Sequence, residues 1–160
     1  MDVQQVKIEK PDDVNIIIGQ SHFIKTVEDL YEAVIGSAPG VKFGIGFCES
    51  SGACLVRHDG NDEELRKLAA KNALNIGAGH CFIIMMRNAF PINVMRAVKD
   101  VQEVCAVFCA TANPASVLVY DSGQARGVIG VIDGQKPKGI EDESGIKWRK
   151  EFLRKIGYKL

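Results

Sequence analysis

The sequence predicts one α/β domain, spanning residues 1–160, in which a mixed β-sheet is flanked by helices. Its 160 residues, 46% of them hydrophobic, are enough to form a single buried core. Short apolar runs rich in β-branched residues are interleaved with segments of helical periodicity. No linker-like or low-complexity stretch divides the chain. These observations together favour a single layered domain.

Six strands are expected, each bounded by Gly, Pro, Asn or Asp. They are predicted over residues 14–19, 41–48, 81–86, 104–110, 116–120 and 127–132. Most of these runs are apolar throughout instead of alternating, which indicates burial on both faces. The last three are joined by short connections, so we expect them to form antiparallel pairs within the mixed sheet.

Two helices show start signals in the first half of the chain. The first is predicted to begin at Thr26, where Thr26 and Asp29 have a capping-box-like spacing. The second follows Asn61, which is expected to be its N-cap, and ends at Gly77. Both segments repeat apolar residues at helical spacing, which predicts one buried stripe for each helix.

Two further helices are predicted later in the chain. Pro91 suits the first position of a helix because its missing N–H would be unpaired there. A C-terminal helix over about 144–156 places Trp148, Phe152 and Ile156 on one stripe. The basic residues between them are expected to solvate the other face.

The charge balance argues against several classes of partner. Twenty basic residues offset twenty acidic ones, so the chain has no excess charge for a nucleic-acid backbone or an anionic bilayer. The first residues do not resemble a signal peptide, and no apolar stretch is long enough to span a membrane. We expect a cytoplasmic protein without a nucleic-acid or membrane partner. Five cysteines, mostly in apolar runs, fit a reducing compartment.

Standard motifs for phosphate and metal binding are missing. There is no P-loop sequence, and Gly44-Ile-Gly46 lies inside a strand-like run instead of opening a helix. Cys105 and Cys109 have no second pair of ligands at zinc-site spacing. We therefore expect no metal site and assign no certain cofactor.

His80 is the leading candidate for a catalytic residue. It follows two glycines where a loop becomes a strand, so main-chain amides can approach it closely. A neutral imidazole can accept a phosphoryl group and pass it on. The candidate donors to that group are the amides of residues 77–79, the helix start near Asn93, and Arg87 or Arg126. The alternative is a hydrogen-bonded structural histidine.

Other polar residues are candidates for ligand binding. His22 lies in a loop between a strand and a helix, where it either meets a ligand or caps a turn. His58 is expected in a turn, and Asp59 binds a ribose hydroxyl or belongs to the same turn. Glu49, Asn113 and Asp133 each follow a strand, so they converge if these strand ends share an edge of the sheet. The alternative is that Asn-Pro and Asp-Gly simply form turns.

Several long runs in one order resemble the adenosine-specific kinase family. They are Gly19-Gln-Ser-His-Phe-Ile-Lys-Thr26, Gly79-His-Cys-Phe82, Phe90-Pro-Ile-Asn-Val94, Val104-Cys-Ala-Val-Phe-Cys-Ala-Thr-Ala-Asn-Pro114, Gly127-Val-Ile-Gly-Val-Ile-Asp-Gly134 and Leu153-Arg-Lys-Ile-Gly-Tyr158. The resemblance spans nearly the whole chain. It is more specific than any single glycine motif.

The resemblance implies a mostly archaeal and thermophilic-bacterial protein that binds adenosine and AMP in preference to ADP and ATP. It also implies a phosphorylated histidine, which maps best to His80, with His22 as the second candidate. Asp59 or Asp133 would then orient or deprotonate a ribose hydroxyl. The resemblance also implies a homo-oligomer, with a trimer as the first candidate. The alternative function is a non-enzymatic adenosine/AMP sensor.

Overall fold

The computed structural model describes residues 2–160, and twelve helices and strands follow one another along them. The strands are β1 (Asp2–Lys7), β2 (Asn15–Ser21), β3 (Lys42–Cys48), β4 (Val56–Gly60), β5 (Cys81–Arg87), β6 (Val104–Thr111), β7 (Ala115–Asp121) and β8 (Arg126–Asp133). The helices are α1 (Thr26–Ser37), α2 (Glu63–Ile76), α3 (Pro91–Lys99) and α4 (Glu143–Lys155). The predicted α/β class is confirmed.

The strands form two sheets, and every pairing is antiparallel. The larger sheet has the order β4-β3-β5-β2-β6, and the smaller one has the order β1-β7-β8. The strand arrangement therefore differs from the single mixed sheet that we expected. Of the three late strands, only β7 and β8 pair with each other, whereas β6 pairs with β2. The Asn113-Pro114 turn ends β6 and sends the chain to the other sheet.

The larger sheet is the middle of three layers, which explains its uninterrupted apolar strands. On β5, Ile83 and Met85 pack on the side of α2 and the smaller sheet. Their neighbours Phe82 and Ile84 pack on the opposite side, with α1 and α3. All four side chains are fully buried. Burial of each contributes about 2 kcal/mol, so both faces of this strand stabilise the domain.

Gly44 and Gly46 allow α2 to lie directly on β3. A Cβ atom at position 44 would stand 2.3 Å from the carbonyl oxygen of Leu65, and one at position 46 would stand 2.5 Å from that of Ala69. Such distances are far below van der Waals contact. The Gly-Ile-Gly run in β3 therefore serves helix packing.

The two predicted helix starts differ in detail from the structure. Asp62, and not Asn61, is the N-cap of α2, and its Oδ1 accepts a hydrogen bond from the Leu65 amide at 2.9 Å. Asn61 instead bonds to the main chain of β3 and the residue before it, at Phe43 and Val41. The capping box predicted at Thr26 is wrong because Lys25 is the N-cap of α1, and the buried Thr26 hydroxyl donates to the Phe23 carbonyl.

Two strands were not predicted, and α4 makes little contact with the rest of the domain. β1 has no apolar run, and β4 contains Asp59 and also His58, for which the expected turn is wrong. On α4 no side chain is buried, and the rings of Trp148 and Phe152 stack on each other with centroids 5.2 Å apart. Within residues 2–160, no helix is both long enough and apolar enough to cross a membrane.

Candidate active site around His80

One end of the larger sheet brings together the loops that follow β2 and β3 and the loop that precedes β5. Because these strands are antiparallel neighbours, two of them end where the third begins. The Ser21 amide donates to the His80 carbonyl at 3.0 Å, and the His80 amide donates to the Cys48 carbonyl at 2.7 Å. His80 is thus held between two strand ends. We call this end of the larger sheet, where β2 and β3 finish and β5 begins, the His80 end.

The main chain at His80 has an uncommon conformation. Its φ is +62°, in the left-handed region that costs a non-glycine residue roughly 1–2 kcal/mol. Gly79 is required next to it, since a Cβ atom there would lie 2.7 Å from Cβ of Ser50. The loop after β3 therefore packs tightly against His80. Strained backbone of this kind is concentrated at functional sites.

The imidazole ring of His80 has two well-defined neighbours. Its Nε2 lies 2.9 Å from Oγ of Ser50, within hydrogen-bond distance. Its plane stacks on Phe47, with centroids 5.9 Å apart and planes 13° from parallel. Phe47 is itself buried, so it is a rigid support for the ring. A neutral imidazole held in this way keeps one unprotonated nitrogen that can act as a nucleophile.

A cavity of about 350 Å³ opens beside His80. This volume is at the lower end of the range for small-molecule sites, and it suits a nucleoside-sized ligand. The lining residues come from the β2–α1 loop, from β3 with the β3–β4 loop, from β4, and from the loop that precedes β5. They are His22, Phe23, Ile24, Phe47, Glu49, Ser50, Ser51, Gly52, Ala53, Arg57 and His80.

Glu49 and Arg57 form an ion pair in the wall of this cavity. Nη2 of Arg57 lies 3.0 Å from Oε1 of Glu49, while Oε2 of Glu49 accepts a hydrogen bond from the Leu55 amide at 2.8 Å. The Leu55 amide and the Arg57 guanidinium together hold the pKa of the Glu49 carboxyl below its ordinary value. Glu49 is therefore a weak base that fixes Arg57 in place.

Arg57 keeps donor capacity for a ligand. Its side chain is 39% exposed and pairs with Glu49 through Nη2, which leaves Nη1 without an acceptor within residues 2–160. Arg57 pairs with Phe47 across β3 and β4, so its side chain lies on the same face of the larger sheet as the Phe47 ring that stacks on His80. Sequence reasoning missed Arg57 because β4 was not predicted. The available signal was Ser-Ser-Gly after the apolar run of β3 and before the short apolar run Ala-Cys-Leu-Val, an arrangement that is consistent with a hairpin.

Three of the predicted site residues lie together, and a fourth lies close by. His22, Glu49 and His80 all line the cavity. Asp59 lies on β4 two residues beyond Arg57, and its Oδ1 accepts a hydrogen bond from the Gly60 amide at 2.8 Å. It is not among the residues that line the cavity.

Asn113 and Asp133 meet each other, but far from Glu49. Oδ1 of Asp133 accepts hydrogen bonds from Nδ2 of Asn113 at 3.2 Å and from Oγ1 of Thr111 at 2.7 Å. The expected convergence with Glu49 is wrong because β6 runs antiparallel to β2 and ends beside the first residues of β2. The carboxyl end of β3 therefore lies at the His80 end of the larger sheet, and the carboxyl end of β6 lies at the opposite end.

Arg87 and Asn93 also lie away from His80. Arg87 ends β5, about 20 Å along the strand from the His80 end. It forms ion pairs with Asp13 and Glu64. Asn93 is in the first turn of α3, which follows β5 at the end of the larger sheet opposite the His80 end. Its side chain accepts a hydrogen bond from the Phe90 amide.

Arg126 holds the end of α2 in place. Its guanidinium donates to Asp121 and to the main-chain carbonyls of Asn75 and Ile76. It lines a separate cavity of about 170 Å³ that Gly79 also borders. The arginine in the His80 cavity is therefore Arg57, and neither Arg87 nor Arg126 lines it.

The structure thus defines an α/β domain with antiparallel sheets and a candidate small-molecule site, in which a histidine and an arginine line a cavity at one end of the larger sheet. The family model for the adenosine specific kinase matches residues 6–159, nearly the whole chain. The chain belongs to this family, and the resemblance predicted from the sequence is confirmed.

A solved structure agrees with this assignment. The crystal structure of the PH1918 protein from Pyrococcus horikoshii OT3 is similar, with a TM-score of 0.95 and 46% sequence identity. The match covers 99% of this chain and 98% of that one. No match was found among the curated proteins.

Proposed function

We propose that the protein binds adenosine and AMP and transfers a phosphoryl group through a phosphohistidine at His80. The observation that carries this proposal is the placement of the His80 ring in the cavity that Arg57 also lines. The ring is held by Phe47 and Ser50, and the partly exposed guanidinium of Arg57 pairs with Glu49 through Nη2, which leaves Nη1 for a ligand. A nucleophile beside a cation is the arrangement that phosphoryl transfer requires.

The transfer proceeds in two displacements. In the first, a ring nitrogen of His80 uses its lone pair to form a bond to phosphorus, and the bond from phosphorus to the donor's leaving oxygen breaks with its electron pair. In the second, a ribose hydroxyl oxygen attacks the same phosphorus, and the phosphorus–nitrogen bond breaks. The ring nitrogen regains its electron pair and takes the proton that the hydroxyl releases. The reverse sequence returns AMP to adenosine.

Arg57 and the loop after β3 stabilise the charge on the phosphoryl oxygens. A guanidinium offers charge-assisted hydrogen bonds to such oxygens, and Glu49 keeps the side chain oriented. The main-chain amides of residues 50–53 donate to no acceptor in the part of the chain that the structure describes. They are therefore free to bind an anion, as consecutive amides do in other phosphate sites.

One observation favours a second candidate function, a non-enzymatic adenosine/AMP sensor. The carboxylate in the cavity, Glu49, is paired with Arg57 and has a lowered pKa, so it is poorly suited to deprotonate a hydroxyl. In a sensor the same cavity would bind the nucleoside, and binding would shift a conformational or oligomeric equilibrium.

The test is transfer of labelled γ-phosphate from ATP to adenosine by wild type, His80→Asn and His58→Asn. Asparagine tolerates positive φ, so His80→Asn removes the nucleophile with little backbone strain. His58 is exposed on β4 and is the control. Labelled AMP from wild type and His58→Asn, but not from His80→Asn, supports the kinase. Tight adenosine binding without labelled AMP in any protein overturns ATP-dependent transfer and favours the sensor.

We also propose that the chain forms a homo-oligomer, with a trimer as the first candidate. The exposed stripe formed by Trp148 and Phe152 on α4 and by Ile156 directly after it supports this, because large apolar side chains in one row are typical of an interface. Light scattering of wild type and Trp148→Glu tests it. A wild-type mass of one chain contradicts it.

A further inference from the structure

We propose that Phe23 and Ile24 are the residues that recognise the base of the ligand, by offering an apolar platform for a purine ring. This inference rests on the proposed function, because it assumes that a nucleoside occupies the His80 cavity. It assigns the two halves of the ligand to two sides of the cavity.

The first observation is the exposure of these two side chains. Phe23 is 51% exposed and Ile24 is 45% exposed, although both are large and apolar and adjacent in the chain. Both line the His80 cavity, whose other exposed side chains are largely polar. Single exposed apolar residues need no explanation, but two together inside a cavity mark a place where an apolar group binds.

The second observation is that the segment carrying them is fixed before any ligand arrives. The Phe23 carbonyl accepts hydrogen bonds from the amide of Thr26 at 3.0 Å and from its hydroxyl at 2.6 Å. That hydroxyl lies 2.7 Å from the hydroxyl of Ser21, and both side chains are buried. Lys25, the next residue, lies 3.4 Å from the buried carboxylate of Glu103. A platform fixed in this way loses little entropy on binding.

The third observation is the division of polarity within the cavity. Arg57, Ser50 and the free amides of residues 50–53 suit an anionic or hydroxyl-bearing group. Phe23 and Ile24 come from a different loop, between β2 and α1, and offer no charge. A ligand with a flat aromatic part and a polar sugar or phosphate part matches this division. A purine nucleoside or its monophosphate has this chemistry, whereas a sugar phosphate has only the polar part.

The experiment measures the affinity of adenosine, AMP and ribose 5-phosphate for wild type, Phe23→Ala and Phe23→Tyr by calorimetry. Phe90→Ala is the matched control, since Phe90 is 60% exposed but follows β5 at the end of the larger sheet opposite the His80 end. We expect Phe23→Ala to weaken adenosine and AMP by about 10- to 100-fold, the usual effect of removing an aromatic stacking partner. Ribose 5-phosphate should bind all four proteins equally, and Phe23→Tyr should keep adenosine affinity.

Several outcomes decide between the inference and its premise. Wild type that fails to bind adenosine overturns the proposed function, and the inference with it. Wild type that binds adenosine while Phe23→Ala binds it equally well overturns the inference alone. A Phe23→Ala protein that changes its oligomeric state and keeps its adenosine affinity also overturns it, because Phe23 would then cover another copy of the chain. A loss of adenosine affinity in Phe23→Ala that Phe23→Tyr restores supports the inference without depending on one variant.

Discussion

The hydroxyl of Ser50 lies 2.9 Å from Nε2 of His80, and this contact joins two loops that are 30 positions apart in the chain. Gly79 makes the approach possible because any side chain there would collide with Ser50. The hydrogen bond occupies one ring nitrogen and orients the other. In the proposed mechanism, Ser50 is a positioning residue for the nucleophile.

Ser50→Ala should slow phosphoryl transfer about 2- to 10-fold, the worth of one neutral hydrogen bond. The effect should fall on kcat, with KM for adenosine nearly unchanged, because the ring and not the substrate loses its partner. Steady-state kinetics of wild type, Ser50→Ala and Ser50→Thr measure this. Threonine keeps the hydroxyl, so it should restore most of the rate. A change in KM alone would contradict the positioning role.

Arg57→Gln should weaken AMP binding by about 10- to 100-fold and adenosine binding much less. The difference is expected because a charge-assisted hydrogen bond to phosphate is worth more than one to a neutral group. Calorimetric titration with both ligands measures it. Arg149→Gln, on the exposed helix α4, is the control and should change neither affinity. Equal losses for AMP and adenosine in Arg57→Gln would place the phosphate elsewhere.

Glu49→Gln should destabilise the protein at neutral pH, and the difference from wild type should shrink in acid. The Leu55 amide and Arg57 lower the folded-state pKa of Glu49 below its unfolded value of about 4.3. The carboxylate therefore contributes stability above that unfolded pKa, and the contribution is lost as pH falls through the folded pKa. Urea midpoints at pH 7 and about pH 3 measure the effect. A gap that stays constant with pH would contradict it.

Gly46→Ala should destabilise the domain by about 1–3 kcal/mol, because the added methyl group meets the main chain of α2 at Ala69. Gly36→Ala is the control, since Gly36 lies in α1 with open space around it. That variant should be neutral or slightly stabilising, as alanine favours helices. Chemical unfolding of both variants makes the comparison. An unchanged Gly46→Ala would show that α2 can shift away from β3.

Much of the fold was predictable because its signals are local. The six predicted strands contain runs such as the one at Phe82 and Ile84, which must be buried on both faces. Gly77 and Pro91 mark a helix end and a helix start by their own backbone chemistry. β4 was missed because its residues, Arg57 to Asp59, are polar and gain their strand conformation from pairing with β3.

The site was only partly predictable because it depends on which strand ends share an edge. His80, His22 and Glu49 each stand next to a strand end, and antiparallel pairing brings them together. The same pairing separates Asn113 and Asp133 from them. Local sequence does not contain this information, since an Asn-Pro turn has the same chemistry at either edge of a sheet.

The most direct test of the central claim is detection of the phosphohistidine itself. Wild type and His80→Asn are incubated with labelled phosphoryl donor, separated at alkaline pH, and mapped by mass spectrometry. The proposal predicts an acid-labile, alkali-stable label on the peptide that contains His80, absent in His80→Asn and discharged to AMP when adenosine is added. A label on His22, or a label that remains in His80→Asn, would contradict it.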